Sequence, residues 1–499
     1  MKPKNLVVIL SDEHSRKVLG CYGNAHVKTP FLDRLAARGT LFTQAYTNSP
    51  ICVPARASFA TGRHVNQIGC WDNAHAYDGQ PPSWGHQLMQ HGHRVISIGK
   101  LHYTRSEPQR NGFSEELLPL HILDGKGDLL GLIRDELPRR RGALELGPEA
   151  GPGESDYTRY DRQITAKALN WLNTEGRRAA DKPWVLYVGF VAPHFPLIAP
   201  EEFYGLYDEA KVPMPKLHAK HERPQHPFLR EMRHCMPHDE GFIDEAMVRR
   251  AITAYFGLVS FLDDNIGQIL GGLEKSGLST STRILYSSDH GDNLGARGMW
   301  GKSTQYEESA GIPLLLAGED VPAGHVCNTP VSLVDVFPTI LESAGVAAPV
   351  SDAKLPGDSL FAIARGMHPD RYAFSEYHAT GSICGSYMLR QGRYKYVYYN
   401  NCPPELFDLG DDPEETRDIG EDPRFAHVLQ EMDAKLRSIV DPDETNRKAH
   451  ADQKAKIEAM GGKAALLRKG MFRFSPPPGA VAVMFGEPMS PGDPDHPVK

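Results

Sequence analysis

Met1-Lys2-Pro3-Lys4-Asn5-Leu6-Val7-Val8-Ile9-Leu10-Ser11-Asp12 passes from a short basic lead into five consecutive apolar residues and ends on a serine and an aspartate. A run of this kind suits a strand buried on both faces, as in parallel sheets covered by helices. It is far shorter than the roughly 20 residues that cross a membrane. It is also too short for a secretory leader, and no small-residue cleavage site follows it. The expectation is a cytoplasmic protein whose first strand is residues 6–10. Outward from that run, Val95–Ile98, Trp184–Phe190, Ile284–Ser287 and Leu314–Ala317 read as further buried strands between helical patterns. This alternation predicts an α/β fold with a large, mostly parallel sheet flanked by helices. Between the first two strands a helix is marked by Thr29 as its cap, Pro30 in its first position and Gly39 at its end. Its stripe of Phe31, Leu32, Leu35 and Ala36 faces the sheet in this reading.

Two segments interrupt the alternation. Residues 104–156 are rich in glycine, proline and arginine, and residues 212–242 carry His218, His221, His226, His234 and His238 at irregular spacings among prolines. Both read as surface or lid loops. From residue 372 the texture changes: Tyr394–Tyr399 alternates, Asn400-Asn401 supplies a turn, and Leu406-Phe407-Asp408-Leu409 follows. This predicts a smaller antiparallel sheet closed by a helix. The expected organisation is a catalytic domain over 1–371, a sheet-plus-helix subdomain over 372–444, and a helix with a proline-rich tail over 445–499.

The chain has 499 residues, 40% hydrophobic and 24% charged, and its net charge is -8 without a long basic tract, which argues against a nucleic-acid partner. Arg139-Arg140-Arg141, its one tight basic cluster, reads as a solvated loop. Of seven cysteines, Cys21, Cys70, Cys235, Cys327, Cys384 and Cys402 form no CxxC pair and read as scattered reduced thiols.

Polar residues able to do chemistry follow four of the strands. Asp12 follows the first, Lys100 and His102 the second, His194 the third, and Asp289-His290 the fourth. Each has an ordinary reading alone: a helix cap, a satisfied histidine, or, for Lys302 further on, a solvated lysine. Together they would meet in one crevice, because open parallel sheets bind ligands at the carboxyl ends of their strands. The strongest local signal is Ser49-Pro50-Ile51-Cys52-Val53-Pro54-Ala55-Arg56, continuing to Thr61-Gly62-Arg63. Pro54 suits the first turn of a helix, which sets Cys52 at its N-terminus, where free N–H groups favour an anion. Arg56 lies one turn on, on the same face. A cysteine-dependent phosphatase would need a glycine-rich loop between Cys and Arg, and this chain has none.

Cys-x-Pro-x-Arg with a downstream Thr-Gly resembles the signature of the type I sulfatases of the alkaline phosphatase superfamily. Further motifs follow in the family's order: Ser11-Asp12, Thr29–Asp33, Gly99-Lys100-Leu101-His102, Ala192–Pro196, Ser288–Asp292, Gly301-Lys302, Pro313–Leu315, Val334–Thr339 and Glu405–Leu409. The resemblance implies an alkaline-phosphatase-like fold and hydrolysis of sulfate monoesters. It implies a nucleophile made from Cys52 by a formylglycine-generating enzyme, the hydrated aldehyde presenting two hydroxyls. It assigns Asp12, Asp289 and His290, with residue 52, to one divalent cation, for which Ca²⁺ is favoured over Mn²⁺ or Mg²⁺. Arg56, Lys100 and Lys302 match the cations that stabilise the sulfuryl oxygens. One of His102 and His194 protonates the leaving oxygen, the resemblance favouring His194, and the other regenerates the aldehyde. The chain departs from the family's pattern at Glu13, where an aspartate is common, at Ala60, where a leucine is common, and at Gly311, where an arginine is common.

The absence of a leader and the long tail resemble the cytoplasmic branch containing choline sulfatases and phosphonate monoester hydrolases, whose tail implies a homo-oligomer, dimer or tetramer. Asp72-Asn73-Ala74 resembles the choline sulfatases and makes Asn73 a candidate contact for nucleophile or ester. Phosphonate hydrolases of that branch replace the lysine and histidine after the second strand, so Lys100 and His102 favour sulfate over phosphonate. Trp71, Trp84, Tyr103 and Tyr387 are candidates for an aromatic cage around choline. Two alternatives remain open: a phosphonate monoester hydrolase or phosphodiesterase on the same scaffold, and a non-catalytic family member, against which intact Cys52, Arg56, Asp289 and Lys302 weigh.

Overall fold

The computed structural model describes residues 1–104, 107–178, 181–347 and 355–488. The opening apolar run is the strand Asn5–Asp12, set inside an eight-stranded sheet. Across the sheet the strands are His325–Cys327, Gly39–Phe42, Leu314–Ala317, Thr282–Ser288, Asn5–Asp12, Val185–Pro193, Val95–Lys100 and Glu115–Leu120. Neighbours are parallel except around Leu314–Ala317, which runs antiparallel to both of its partners. Leu6, Val8 and Leu10 enter the core on one face, Val7 and Ile9 the core on the other. That two-sided burial is why the run does not alternate in polarity.

Helices Cys52–Thr61, Trp84–Gln90 and Val336–Ala344 cover one face, and Pro30–Ala37, Asp156–Asn173 and Glu245–Lys275 the other. The helix expected between the first two strands runs Pro30–Ala37, with Leu32, Leu35 and Ala36 buried. Its two end signals act differently from expectation. Thr29 makes no side-chain cap bond. The N–H groups of Phe31 and Leu32 donate instead to Asp263 of the long helix, at 3.0 and 2.7 Å. Gly39 does not end the helix but begins the next strand, where a Cβ would stand 2.2 Å from the Leu316 carbonyl oxygen. Close approach of two backbones, not a left-handed cap, requires glycine there. The sheet also holds Gly39–Phe42, Glu115–Leu120 and His325–Cys327, which the apolar-run criterion passed over. The last two are edge strands, where burial is one-sided or slight.

A second sheet of four antiparallel strands, Tyr372–Tyr377, Ser386–Gln391, Tyr394–Tyr399 and Cys402–Asp408, carries the helix Ala426–Ile439 on one face. Asn401 takes the left-handed conformation that the Asn-Asn turn calls for, φ 61°. The other face of this sheet shares an apolar cluster with Tyr46, Ile51 and Tyr306 of the larger unit. Buried charges cross the same junction. Lys395 pairs with Glu307 at 3.0 Å and Glu415 at 2.6 Å, and Glu307 also pairs with Arg16.

Beyond it, helix Pro442–Ala459 doubles back, with Trp71 Nε1 donating to Asp452 at 2.8 Å and Gln453 Nε2 to Asp72 at 2.9 Å. Helix Lys463–Lys469 and the paired strands Met471–Phe472 and Met484–Phe485 follow. The described part of the tail thus packs on its own chain, and residues 489–499 lie outside the described residues. Among the described residues no helix is long and apolar enough to cross a membrane.

Candidate active site

Asp12 and Lys100 are the last residues of their strands, His194 follows Val185–Pro193, and Asp289-His290 follow Thr282–Ser288. The carboxyl ends of four parallel strands thus deliver them to one place, where helix Cys52–Thr61 begins. That helix is buried along its whole length and stops at Gly62 in the left-handed conformation. Its first turn holds Cys52 with Ile51 as cap, and Asn73 Oδ1 accepts from the Val53 N–H at 3.1 Å. Asn73 therefore serves the end of the helix that begins at Cys52 and also lines the cavity above it.

One ligand atom from each of Asp12, Cys52, Asp289 and His290 lies within 4.8 Å of the others. Oxygen ligands of a Ca²⁺-sized ion stand about 2.3–2.6 Å from it, so ligands on opposite sides are at most about 5 Å apart. The donor set therefore fits a single divalent cation; its two carboxylates suit a hard ion, and Cys52 Sγ stands where an oxygen of formylglycine would be. Sγ is 3.2 Å from His290 Nε2 and 3.6 Å from Asp12 Oδ1. Burial, and next Asp12, push the Cys52 thiol up to about 11. An unmodified Cys52 is therefore a neutral thiol near pH 7, a poor nucleophile.

Arg56 is turned away from the place expected of it. Its Nε donates to Asp289 Oδ2 at 2.8 Å and its Nη2 to Asp12 Oδ2 at 3.0 Å. Its Nη1 donates to the Lys100 carbonyl and the Tyr187 hydroxyl, each at 3.0 Å. With its fork committed to two carboxylates, Arg56 is placed to hold Asp12 and Asp289 beside Cys52. The lysines that line the cavity are Lys100 and Lys302, and Arg140 and Arg473 line it as well. Lys100 Nζ pairs with Asp12 at 2.6 Å. Burial works against charge on Asp12, but Lys100, His194, Arg56 and Lys302 together hold it well below the usual carboxylate range.

Lys302 Nζ lies 3.2 Å from Cys52 Sγ, 3.2 Å from Glu13 Oε2 and 2.8 Å from His194 Nε2. His194 Nδ1 is 2.6 Å from the Phe195 carbonyl, so the proton sits on Nδ1 and Nε2 accepts. Burial, then Lys302, holds His194 well below its ordinary value, and burial, then Lys100, does the same for His102. Both imidazoles rest neutral. Glu13 is fully buried, with Oε1 lacking a hydrogen-bond partner, and burial raises its carboxyl well above the usual range. Where an arginine is common in the family, Gly311 leaves room that Arg16 fills, a Cβ there lying 3.0 Å from Arg16 Nε.

Some residues of the site had no usable signal. Ser475 Oγ meets His102 Nε2 at 3.0 Å, and the Tyr157 hydroxyl donates to the Ser475 carbonyl at 2.8 Å. Arg140, expected in solvent, is only 4% exposed and pairs with Asp128 on the cavity wall at 2.9 Å. Both segments read as loops contribute wall: Asp128 and Leu146 from the first, Met232, Met236 and His238 from the second. Among the described residues no metal-holding group includes His218, His221, His226 or His234. The four aromatics proposed as a choline cage are not brought together: Trp84 packs on Phe59, Tyr103 on Tyr77, and Trp71 and Tyr387 against His378, all off the cavity.

A buried helix-end cysteine under two lysines, beside clustered carboxylates, suits a hydrolase that takes a charged tetrahedral group off an oxygen. Residues 4–346 match the family described as Sulfatase, and residues 295–441 match the C-terminal region of N-sulphoglucosamine sulphohydrolase. The chain is 32% identical over 434 residues to a choline-sulfatase of Rhizobium meliloti (strain 1021), covering 84% of this chain and 83% of that one. It is 29% identical over 478 residues to arylsulfatase K of Bos taurus, covering 89% and 83%. Among solved structures, the phosphonate monoester hydrolase of Agrobacterium radiobacter superposes with a TM-score of 0.70 at 21% identity, covering 90% and 96%, which speaks to the fold alone. The chain belongs to the sulfatase family and is a sulfuric ester hydrolase.

Proposed function

We propose that the protein hydrolyses alkyl or aryl sulfate monoesters with a formylglycine made from Cys52, in the presence of one divalent cation, Ca²⁺ before Mn²⁺ or Mg²⁺. The observation that carries this is the convergence of Asp12, Cys52, Asp289 and His290 within 4.8 Å at the start of a buried helix. Bound among them, the cation supplies a Lewis acid that draws charge off the sulfuryl oxygens, and the converted residue 52 supplies a hydroxyl nucleophile. Arg56 keeps Asp12 and Asp289 turned toward that point. Lys100 and Lys302 hold the developing negative charge of the transferring group. The Lys302–His194 pair holds a proton between Nζ and Nε2, and His194 passes it to the leaving oxygen. His102, neutral and steadied by Ser475, takes the proton released when residue 52 returns to its aldehyde.

The required partners are a small sulfate ester and a formylglycine-generating enzyme. A second reaction, phosphonate monoester hydrolysis, is that of the Agrobacterium radiobacter protein with the same fold. Lys100 and His102 weigh against it, since their bulk crowds the space a carbon substituent on phosphorus needs. The test is a mass spectrum of the peptide containing Cys52 together with turnover of 4-nitrophenyl sulfate. Conversion lightens the peptide by about 18 Da, and Cys52→Ala abolishes turnover while the protein still folds. Near-normal turnover in that variant refutes the nucleophile.

A further inference from the structure

We infer that the cavity over Cys52 selects sulfate esters of uncharged, apolar alcohols, aryl or branched alkyl, over choline and sugar sulfates; this rests on the sulfatase reading above. The cavity floor is polar, formed by Lys100, His102, His194 and Lys302. The walls that a leaving group would touch are different: Met232, Met236, Met299 and Trp300 on one side, Phe472 and Phe474 of the C-terminal segment on the other. Thioethers are polarizable and adaptable, and they pack favourably on aromatic rings.

The charges on these walls are already spent. Asp128 is the one carboxylate among the described lining residues. It pairs with Arg140 at 2.9 Å and accepts from Thr380 at 3.2 Å. Three aromatic rings of the lining that could hold a quaternary ammonium already meet a cation or another ring. Lys302 Nζ stands 5.4 Å from the centre of the Phe195 ring, Arg473 stands 5.4 Å from that of Phe474, and Trp300 stacks on Phe242 at 4.3 Å. A cationic leaving group would thus meet two lysines and no free carboxylate. A sugar would find several candidate partners engaged: Asn73 Oδ1 by the Val53 N–H, Thr380 by Asp128, Ser475 by His102. An apolar group loses nothing to these pairings and gains by leaving water.

The test compares choline sulfate with 3,3-dimethylbutyl sulfate, which has the same shape with carbon in place of the charged nitrogen. With the converted, metal-loaded enzyme, kcat/KM is expected to be at least about tenfold higher for the neutral ester. Each methylene added between butyl and hexyl sulfate should raise it about fourfold, the factor equivalent to about 0.8 kcal/mol of burial. Equal or better use of choline sulfate, or no response to chain length, overturns the inference. Phe472→Glu places a carboxylate on the half-buried rim and should move the ratio toward choline; a folded variant with an unchanged ratio counts against the wall assignment. Calorimetric binding of the same two esters to Cys52→Ala reads the preference without turnover. Neutral-ester preference in binding, with hydrolysis of phenylphosphonate esters only, overturns the reaction and leaves the pocket standing. Sulfate turnover with choline sulfate bound more tightly overturns the pocket and leaves the reaction.

Discussion

At the scale of single residues, the charges around Cys52 are arranged in layers. Arg56 lies inside, 1% exposed, holding two carboxylates that would otherwise repel each other. Removing one partner of a buried ion cluster leaves uncompensated charge and costs about 3–5 kcal/mol. Arg56→Ala is therefore expected to lose stability on that scale in urea unfolding; a loss under about 1 kcal/mol would show that Asp12 and Asp289 do not depend on it. Lys100 and His102 line the cavity, and in the proposed reading they discriminate between ester classes by shape, since sulfate and phosphonate monoesters carry the same single charge. Higher kcat/KM is expected for 4-nitrophenyl sulfate than for the phosphonate ester with the same leaving group, each tenfold corresponding to about 1.4 kcal/mol. Replacing both residues by small uncharged ones should narrow the gap, and a native preference for phosphonate would reverse the choice of reaction. Asp12, Lys100, His194 and Asp289-His290 were legible in the sequence because each closes an apolar run. Arg56 was legible as a member of the site but not in its orientation, because spacing on a helix gives a face and not a hydrogen-bond partner.

At the scale of elements, the five apolar runs were readable since two-sided burial leaves them almost free of polar residues, Ser97 and Ser287 excepted. Gly39–Phe42 and the edge strands were not, because a short or half-covered strand needs no such run. The end signals of helix Pro30–Ala37 misled for a related reason: Asp263, far along the chain, does the capping. Helix Pro442–Ala459 offers a test of how elements hold one another. It docks through Gln453 on Asp72, whose neighbour Asn73 serves the nucleophile's helix. Burial resists charge on Asp72, but His75, Gln453 and the Ala74 N–H outweigh it and hold its carboxyl below the ordinary value. A carboxyl depressed in the fold adds stability above its unfolded pKa, about 3.9, and that stability is lost as pH falls through the folded value. Asp72→Asn should therefore melt below the native protein near neutral pH, with the two melting curves converging as pH falls toward about 3. A gap constant in pH would mean that the Asp72 charge does not hold the helix.

At the scale of the whole molecule, two sheets share one apolar junction and one buried charge network, and the site opens beside that junction. A cation bound to the folded form alone stabilises all of it by mass action, about 2.7 kcal/mol at a hundredfold excess over Kd. Chelation is expected to abolish turnover and lower Tm, and added Ca²⁺ to restore both; an unchanged Tm on chelation and return would exclude binding at this site. The tail was the least legible part of the chain: its proline-rich stretch has no periodicity, and its docking on a cavity hundreds of residues upstream leaves no local mark. That docking sets an order of events in time. Asp12 and Cys52 are synthesised well before Ser475, whose hydroxyl meets His102. Cys52 is 1% exposed once folding ends. Under the proposed conversion of Cys52, a modifying enzyme would have to reach the thiol before the chain closes over it, so the speed of synthesis and folding would set the fraction of molecules that become active.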